Sequence, residues 1–121
     1  MRFGLFYLPS SLPATRPEGA ERFRTIIEQI AHGEEIGFDS VWLAEHHFHA
    51  FAGIFSAPTV IGAAIAQRTK KMRIGTAVLL LPYHNPLRVA EDYATLVCLS
   101  NGRLEFGIGH GFVKWEALKP Q

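Results

Sequence analysis

Val41-Trp42-Leu43-Ala44-Glu45-His46-His47-Phe48 is a short apolar run that ends abruptly in a carboxylate and two imidazoles. Bounded upstream by Asp39-Ser40, it fits a buried strand whose C-terminal end opens onto ionisable groups. Just before it stands Gly37, placed to end a helix because glycine accepts the left-handed backbone past a helix end. That helix is marked from about Glu18 by Phe23, Ile26, Ile27, Ile30 and Ala31, whose three- and four-residue steps put them on one face. Further upstream, Arg2 to Leu8 is aromatic and apolar without helical periodicity and stops at Pro9, which predicts a buried first strand. Ser10 to Pro17 reads as a loop.

Downstream the same alternation repeats. After a loop through about Phe55, Ser56 is expected as an N-cap and Pro58 in the first turn of a helix carrying Val60, Ile61, Ala64 and Ile65. It ends near Thr69-Lys70-Lys71, whose charges complement a helix C-terminus. Met72 to Leu81 reads as one apolar strand closed by Pro82, with the small residues Gly75-Thr76-Ala77-Val78 inside it for tight packing. Asn85-Pro86 repeats the cap-then-proline start, and Leu87, Ala90, Tyr93, Ala94 and Val97 mark a third helix. Asn101-Gly102 ends that helix, and Leu104 to Ile108 supplies a fourth strand. Strands beginning near residues 2, 40, 72 and 104, the first three each followed by a helix, make an α/β array of βα units. Runs apolar on both faces and joined by helices require a parallel sheet covered by helices. An open doubly wound sheet satisfies this, and so does part of a (β/α)8 barrel. A closed barrel needs about 250 residues, so these 121 residues supply half of one, read as a single domain over 1–121.

Composition narrows the function classes. Hydrophobic residues make up 48% of the chain, enough for a core, and twelve Lys+Arg against eleven Asp+Glu are spread along it. No basic patch points to nucleic acid or anionic lipid, and no run approaches the roughly 20 apolar residues of a membrane span. A cytoplasmic location is expected, in keeping with the single Cys98, which reads as a buried small hydrophobe in a helix.

Glu45, His46 and His47 follow directly on the second strand, at the edge of a parallel sheet where α/β sites lie. An imidazole titrates near neutral pH, and a neighbouring carboxylate fixes its tautomer, which suits general acid–base work. A metal reading stands beside it. His47 and His49 alternate along an extended segment and could reach one ion, with a third ligand from His84 or His110, which both follow strands, rather than from helical His32. Gly107-Ile108-Gly109-His110-Gly111 lacks the last glycine of a dinucleotide loop, because Phe112 occupies it. These glycines let the backbone turn beside a bound ring or a neighbouring strand.

Taken together, these blocks resemble the N-terminal part of the bacterial luciferase-like family of flavin-dependent monooxygenases. The resemblance runs through Arg2-Phe3-Gly4-Leu5-Phe6, Gly37 to Phe48, Gly75-Thr76-Ala77-Val78, His84 to Asp92, and Ser100 to Phe112. It implies the N-terminal half of a (β/α)8 TIM barrel, truncated before its last four strands. It also implies reduced FMN at the C-terminal ends of the strands, where O2 adds to give a peroxyflavin that oxidises an aldehyde or another small organic substrate. Electrons would come from NAD(P)H, a deazaflavin or a flavin reductase. By the same resemblance His46 and Glu45 are the catalytic candidates. Glu45, Ala77, Val78, His110 and Phe112 are the cofactor-binding candidates, with a non-proline cis peptide at Ala77-Val78 supporting the ring. His110 stands where light-emitting members carry an arginine near the flavin phosphate. Dimerisation in the family points to the second and third helices as an oligomer contact. Two rival readings are a non-catalytic half-barrel that pairs with a partner chain, and a metal-dependent barrel hydrolase using His47 and His49.

Overall fold

In the computed structural model, residues 1–8, 15–47 and 54–111 are described, and all structural statements concern them. Strand β1 (Gly4–Tyr7) leads to α1 (Arg16–Glu35), β2 (Ser40–Leu43), α2 (Pro58–Arg68) and β3 (Arg73–Thr76). Then come β4 (Leu79–Leu80), a 3-10 turn at Leu81–Tyr83, α3 (Pro86–Ser100), β5 (Leu104–Glu105) and β6 (Ile108–Gly109).

The helix ends follow local chemistry. The Thr15 hydroxyl accepts from the Glu18 N–H, so α1 begins about two residues before its apolar periodicity does. The periodicity registers only the buried face, and the first turn is exposed. Gly37 lies past its end with φ +99°. Helix α3 opens under Asn85, whose side chain accepts from the Leu87 and Arg88 N–H groups, and closes at left-handed Asn101. Pro58 does open α2, but the N-cap is Ala57, which has no side-chain bond to offer; the expected Ser56 cap is displaced by one residue.

β1, β2, β3 and β5 form one parallel sheet in chain order. That order decides between the two architectures open to the sequence. A doubly wound sheet reverses its strand order and carries helices on both faces. An order that never reverses, with right-handed crossovers, puts every helix on one face, which is the winding of a (β/α)8 barrel. The core accordingly lies between the sheet and its helices: Val41, Leu43 and Ile74 face Ile26, Ile30, Ile61, Ile65 and Leu96. The opposite face carries Phe6, Trp42 and Gly75 in one register row. β1 is therefore not the buried strand its composition predicts. It is paired on one side only, and Phe6 is 59% exposed.

Two expected strands are each split in two. Met72 to Leu81 breaks after Thr76 and resumes as β4, while Leu104 to Ile108 breaks after Glu105 and resumes as β6, paired in parallel with β4. Five positions separate Ile74 from Leu79, but four separate their partners Leu104 and Ile108. One strand thus holds an extra residue, taken up as a bulge at 76–78. The Thr76 hydroxyl spans the gap, donating to Gly107 O at 2.7 Å and accepting from Gly107 N–H at 3.0 Å.

The far end of the sheet is held by two side chains. Arg103 donates to the carbonyls of Ser100, Ala66 and Met72 and to the Thr69 hydroxyl, tying the ends of α2 and α3 to the start of β3. The Glu34 carboxylate accepts the backbone N–H groups of Lys70, Lys71 and Met72. Cys98, expected to be buried, is exposed on the outer side of α3. No helix among the described residues is long and apolar enough to cross a membrane.

Burial opposes the charge on Glu34, yet its three N–H donors, with Arg103 nearby, outweigh that and hold the carboxyl below the ordinary glutamate range. Such a group stabilises the fold above the unfolded pKa of about 4.3, and the contribution is lost as pH falls through the lowered folded value. Glu34→Gln is expected to cost about 1–3 kcal/mol near neutral pH. The gap from the parent chain should close in acid, which urea unfolding followed across this pH window will measure.

Candidate active site

Beyond Leu43 the chain stays extended, with the Ala44 N–H bonded to Tyr7 O, so Glu45 and His47 project to one side and His46 to the other. The Glu45 side chain is 0% exposed. Its Oε1 lies 2.6 Å from Nε2 of His47 and 2.6 Å from Nε2 of His84. Its Oε2 accepts the Leu80 N–H at 2.8 Å. The 3-10 turn after β4 returns His84 to this point, closed by the bond from the His84 N–H to Leu81 O. A carboxylate only accepts, so each Nε2 carries a hydrogen and Glu45 fixes the orientation of both rings. Tyr83 meets His47 edge-on, with centroids 5.9 Å apart.

His46 is separate from this cluster. Its backbone N–H donates to Phe55 O at 3.0 Å, which anchors the loop, and its side chain is half-buried. The sequence places a carboxylate beside the histidines, and in the structure that carboxylate serves His47 and His84. His84 entered the sequence reading as a possible third metal ligand and as the start of a matched block, not as a partner of Glu45. Its partner lies 39 residues away, and no local spacing reports such a pair; the available signal was its place just after a strand. His32 sits on α1 paired with Glu35, away from the cluster, while Phe48, His49 and Phe112 lie outside the described residues.

Beside the cluster, the peptide between Ala77 and Val78 is cis. The Ala77 N–H bonds to Leu43 O, which keeps this segment against the end of β2. A Cβ on Gly107 would stand 2.3 Å from Thr76 O, and one on Gly109 would stand 2.6 Å from a Val78 methyl. The neighbouring strand is therefore what these two glycines admit. A hollow of about 460 Å³ opens there, lined by Leu81, Pro82, Ile108, Gly109 and His110, almost entirely apolar. A second, of about 490 Å³, lies at the opposite edge of the sheet among Arg2, Glu34, Asp39, Lys71 and Arg73. Parallel α/β sheets place their chemistry at the C-terminal edge, so the first hollow is the relevant one.

Tyr93 of α3 packs tilted on Phe106, centroids 4.5 Å apart, and its buried hydroxyl has no hydrogen-bond partner among the described residues. Burial first, then the negative charges of Glu45 and Asp92, push its phenol well above the ordinary range.

A family model described as luciferase-like monooxygenase matches residues 1–117. The alkanal monooxygenase alpha chain of Photorhabdus laumondii is 40% identical over 111 residues, covering 92% of this chain and 30% of that protein. The crystal structure of monooxygenase RslO1 from Streptomyces bottropensis superposes with TM-score 0.88 at 33% identity, covering 96% of this chain and 35% of that one. The oxygenating constituent of 3,6-diketocamphane monooxygenase from Pseudomonas putida, a type II Baeyer-Villiger monooxygenase in complex with FMN, superposes with TM-score 0.83 at 26% identity, covering 93% and 30%. The chain thus spans about a third of the length of these relatives.

Removing a buried hydroxyl that has no partner relieves a desolvation cost rather than breaking a bond. Tyr93→Phe is therefore expected to leave stability unchanged or raise it by about 1 kcal/mol. A thermal melt beside the parent chain checks the sign.

Proposed function

The chain belongs to the luciferase-like monooxygenase family, and from that premise we propose that it forms one wall of a flavin-dependent oxygenase site that binds reduced FMN. The observation that carries this reading is that one edge of the sheet holds both an apolar hollow and a buried carboxylate bonded to two imidazoles, linked through the Leu80 N–H on Glu45 and Leu81 in the lining. The residues fit a flavin. A planar aromatic ring needs a low apolar floor, and exposed Val78, which follows Ala77, lies against Gly109 at the edge of the hollow. Leu81, Pro82 and Ile108 continue that floor, and Gly109 keeps its rim low.

Bound there, reduced FMN supplies the electron pair that activates O2. The chain's own residues supply position and protons. Glu45, fully covered, acts through the groups it holds: it orients His47 and His84 and, through the Leu80 N–H, fixes β4 beside the ring-supporting segment. His46, on the other side of the extended segment, is the acid–base candidate. Exposed His110 borders the hollow and is the candidate contact to the anionic end of the cofactor. Phe112 is the further cofactor-binding candidate. The substrate class is a small organic molecule such as an aldehyde, supported by the name of the Photorhabdus relative. NAD(P)H or a flavin reductase is the proposed source of electrons.

A second reading has its own support. Val60, Leu87 and Val97 are exposed on α2 and α3, which favours pairing of the chain through those helices, with or without catalysis. Anaerobic titration of reduced FMN, with mass followed by light scattering, separates the two. Saturable flavin binding supports the oxygenase site, whereas a folded oligomer with no flavin affinity overturns it. On protein extended to the relatives' full length, His46→Ala is expected to slow product formation by about 10²–10⁴-fold while flavin affinity changes little. Unchanged turnover would remove His46 from acid–base duty.

A further inference from the structure

We propose that Glu45, His47 and His84 also form a binding site for one divalent cation of borderline softness, with zinc as the probe. One ligand atom from each residue lies within 4.8 Å of the others. Two imidazoles and a carboxylate are a donor set that holds zinc at sites retaining an open position, and one that holds ferrous iron elsewhere. The rings reach the carboxylate from separate segments, one after β2 and one after the 3-10 turn, and tilt 59° to each other.

Charge argues the same way. Glu45 is buried, and among the described residues its ion-pair partners are these two histidines, with no lysine or arginine. A buried carboxylate needs a compensating positive charge. The imidazoles meet it with hydrogen bonds; a cation ligated by all three groups meets its charge directly. Access is open on the imidazole side, where the side chains of His47 and His84 are 22% and 28% exposed, while the carboxylate side is closed. A cation can therefore enter from the strand mouth and keep water in its remaining position.

The spacing permits exchange of hydrogens for a metal. At 2.6 Å the Nε2 atoms stand at hydrogen-bonding distance from Oε1. Ligands on a tetrahedral zinc with bonds of about 2.0–2.2 Å stand about 3.3 Å apart. Uptake thus requires each imidazole to pass from the Nε2–H to the Nδ1–H tautomer, which frees Nε2 to ligate, and spreads each contact by less than about 1 Å, which rotation of the imidazoles provides. The Leu80 N–H on Oε2 keeps the carboxylate aimed, the orienting role that outer hydrogen bonds play at metal centres. His46 stays outside the ligand set, so the site does not compete with the acid–base role proposed for it.

The test uses the intact chain without flavin, stripped with chelator and titrated with zinc chloride by calorimetry, then desalted for elemental analysis. One zinc per chain is expected. His47→Ala and His84→Ala should each weaken binding by more than about tenfold, while His32→Ala, at an exposed position on α1 away from the cluster, should leave it unchanged. Cobalt in place of zinc should give the visible absorption of a tetrahedral site in the parent chain alone. Circular dichroism accompanies every variant. Should an alanine variant unfold, His84→Asn, which keeps a polar group at that position, decides in its place. Absence of retained zinc in the folded parent, or retention unchanged in a folded variant at His47 or His84, overturns the proposal. Flavin titration in the presence of chelator is a separate measurement, so failure of either reading leaves the other standing.

Discussion

A carboxylate taken out of water must have its lone pairs met and its charge answered, or the surrounding structure gives way. At the mouth of this sheet that requirement falls on Glu45, and it organises the segments around it. The exit of β2 supplies His47, β4 supplies a backbone N–H, and the 3-10 turn supplies His84. Glu34 meets the same requirement at the opposite edge differently. Its donors are three backbone N–H groups, which neither titrate nor move independently of the fold. Two glutamates, one at each end of the strands, are thus satisfied by chemically different partners. Backbone donors make Glu34 a clamp, whereas titratable imidazoles make Glu45 the centre of a site that can exchange protons or a cation.

The mouth is shaped by the extra residue in the β3–β4 strand. Without a bulge, the chain after Thr76 would continue the ladder with β5 and present alternating side chains. With it, the Thr76 hydroxyl meets Gly107 across the gap, the Leu79 N–H also donates to Gly107 O, and the chain resumes as β4 beside β6. The offset carries Leu80 N–H to Glu45 and places Leu81 and Pro82 along the hollow. Gly107 and Gly109 are needed because the displaced strand passes so close to them. Packing and site geometry are therefore one arrangement here.

Much of this was legible in the residues. Gly37, Asn85-Pro86 and Asn101-Gly102 mark helix boundaries through chemistry that acts within a few residues, and the structure uses each of them. The three βα units and the strand that follows them were readable from helical periodicity, and their parallel pairing from apolar runs joined by helices. The breaks after Thr76 and Glu105 did not, because an apolar run carries no mark of a register change imposed by its neighbour. The exposure of Phe6 and Cys98 was hidden for a related reason: composition reports what can be buried, not which surface has a partner. At the site, Glu45 and His47 were visible as neighbours at a strand end. Their link to His84 depends on how two crossovers are wound, which local pattern does not encode.

That winding also separates what this chain holds by itself from what it shares. Three helices cover one face of the sheet, and the other presents Phe6 and Trp42 in one register row. Parallel strands are ordinarily covered on both faces, and a barrel achieves this by closing the sheet on itself with eight strands. Among the described residues the four strands, with edges at β1 and β5, do not close on themselves, and Phe6 is exposed on that face. The hollow beside Val78 and His110 borders the open side, so the enclosure of a large ligand depends on surface beyond these strands. The cluster on Glu45 is different. Among the described residues its three hydrogen bonds come from His47, Leu80 and His84, within two consecutive βα units. Its geometry is set without closure of the barrel, so ligand capture at the histidines and enclosure of a flavin are physically separable properties of this chain.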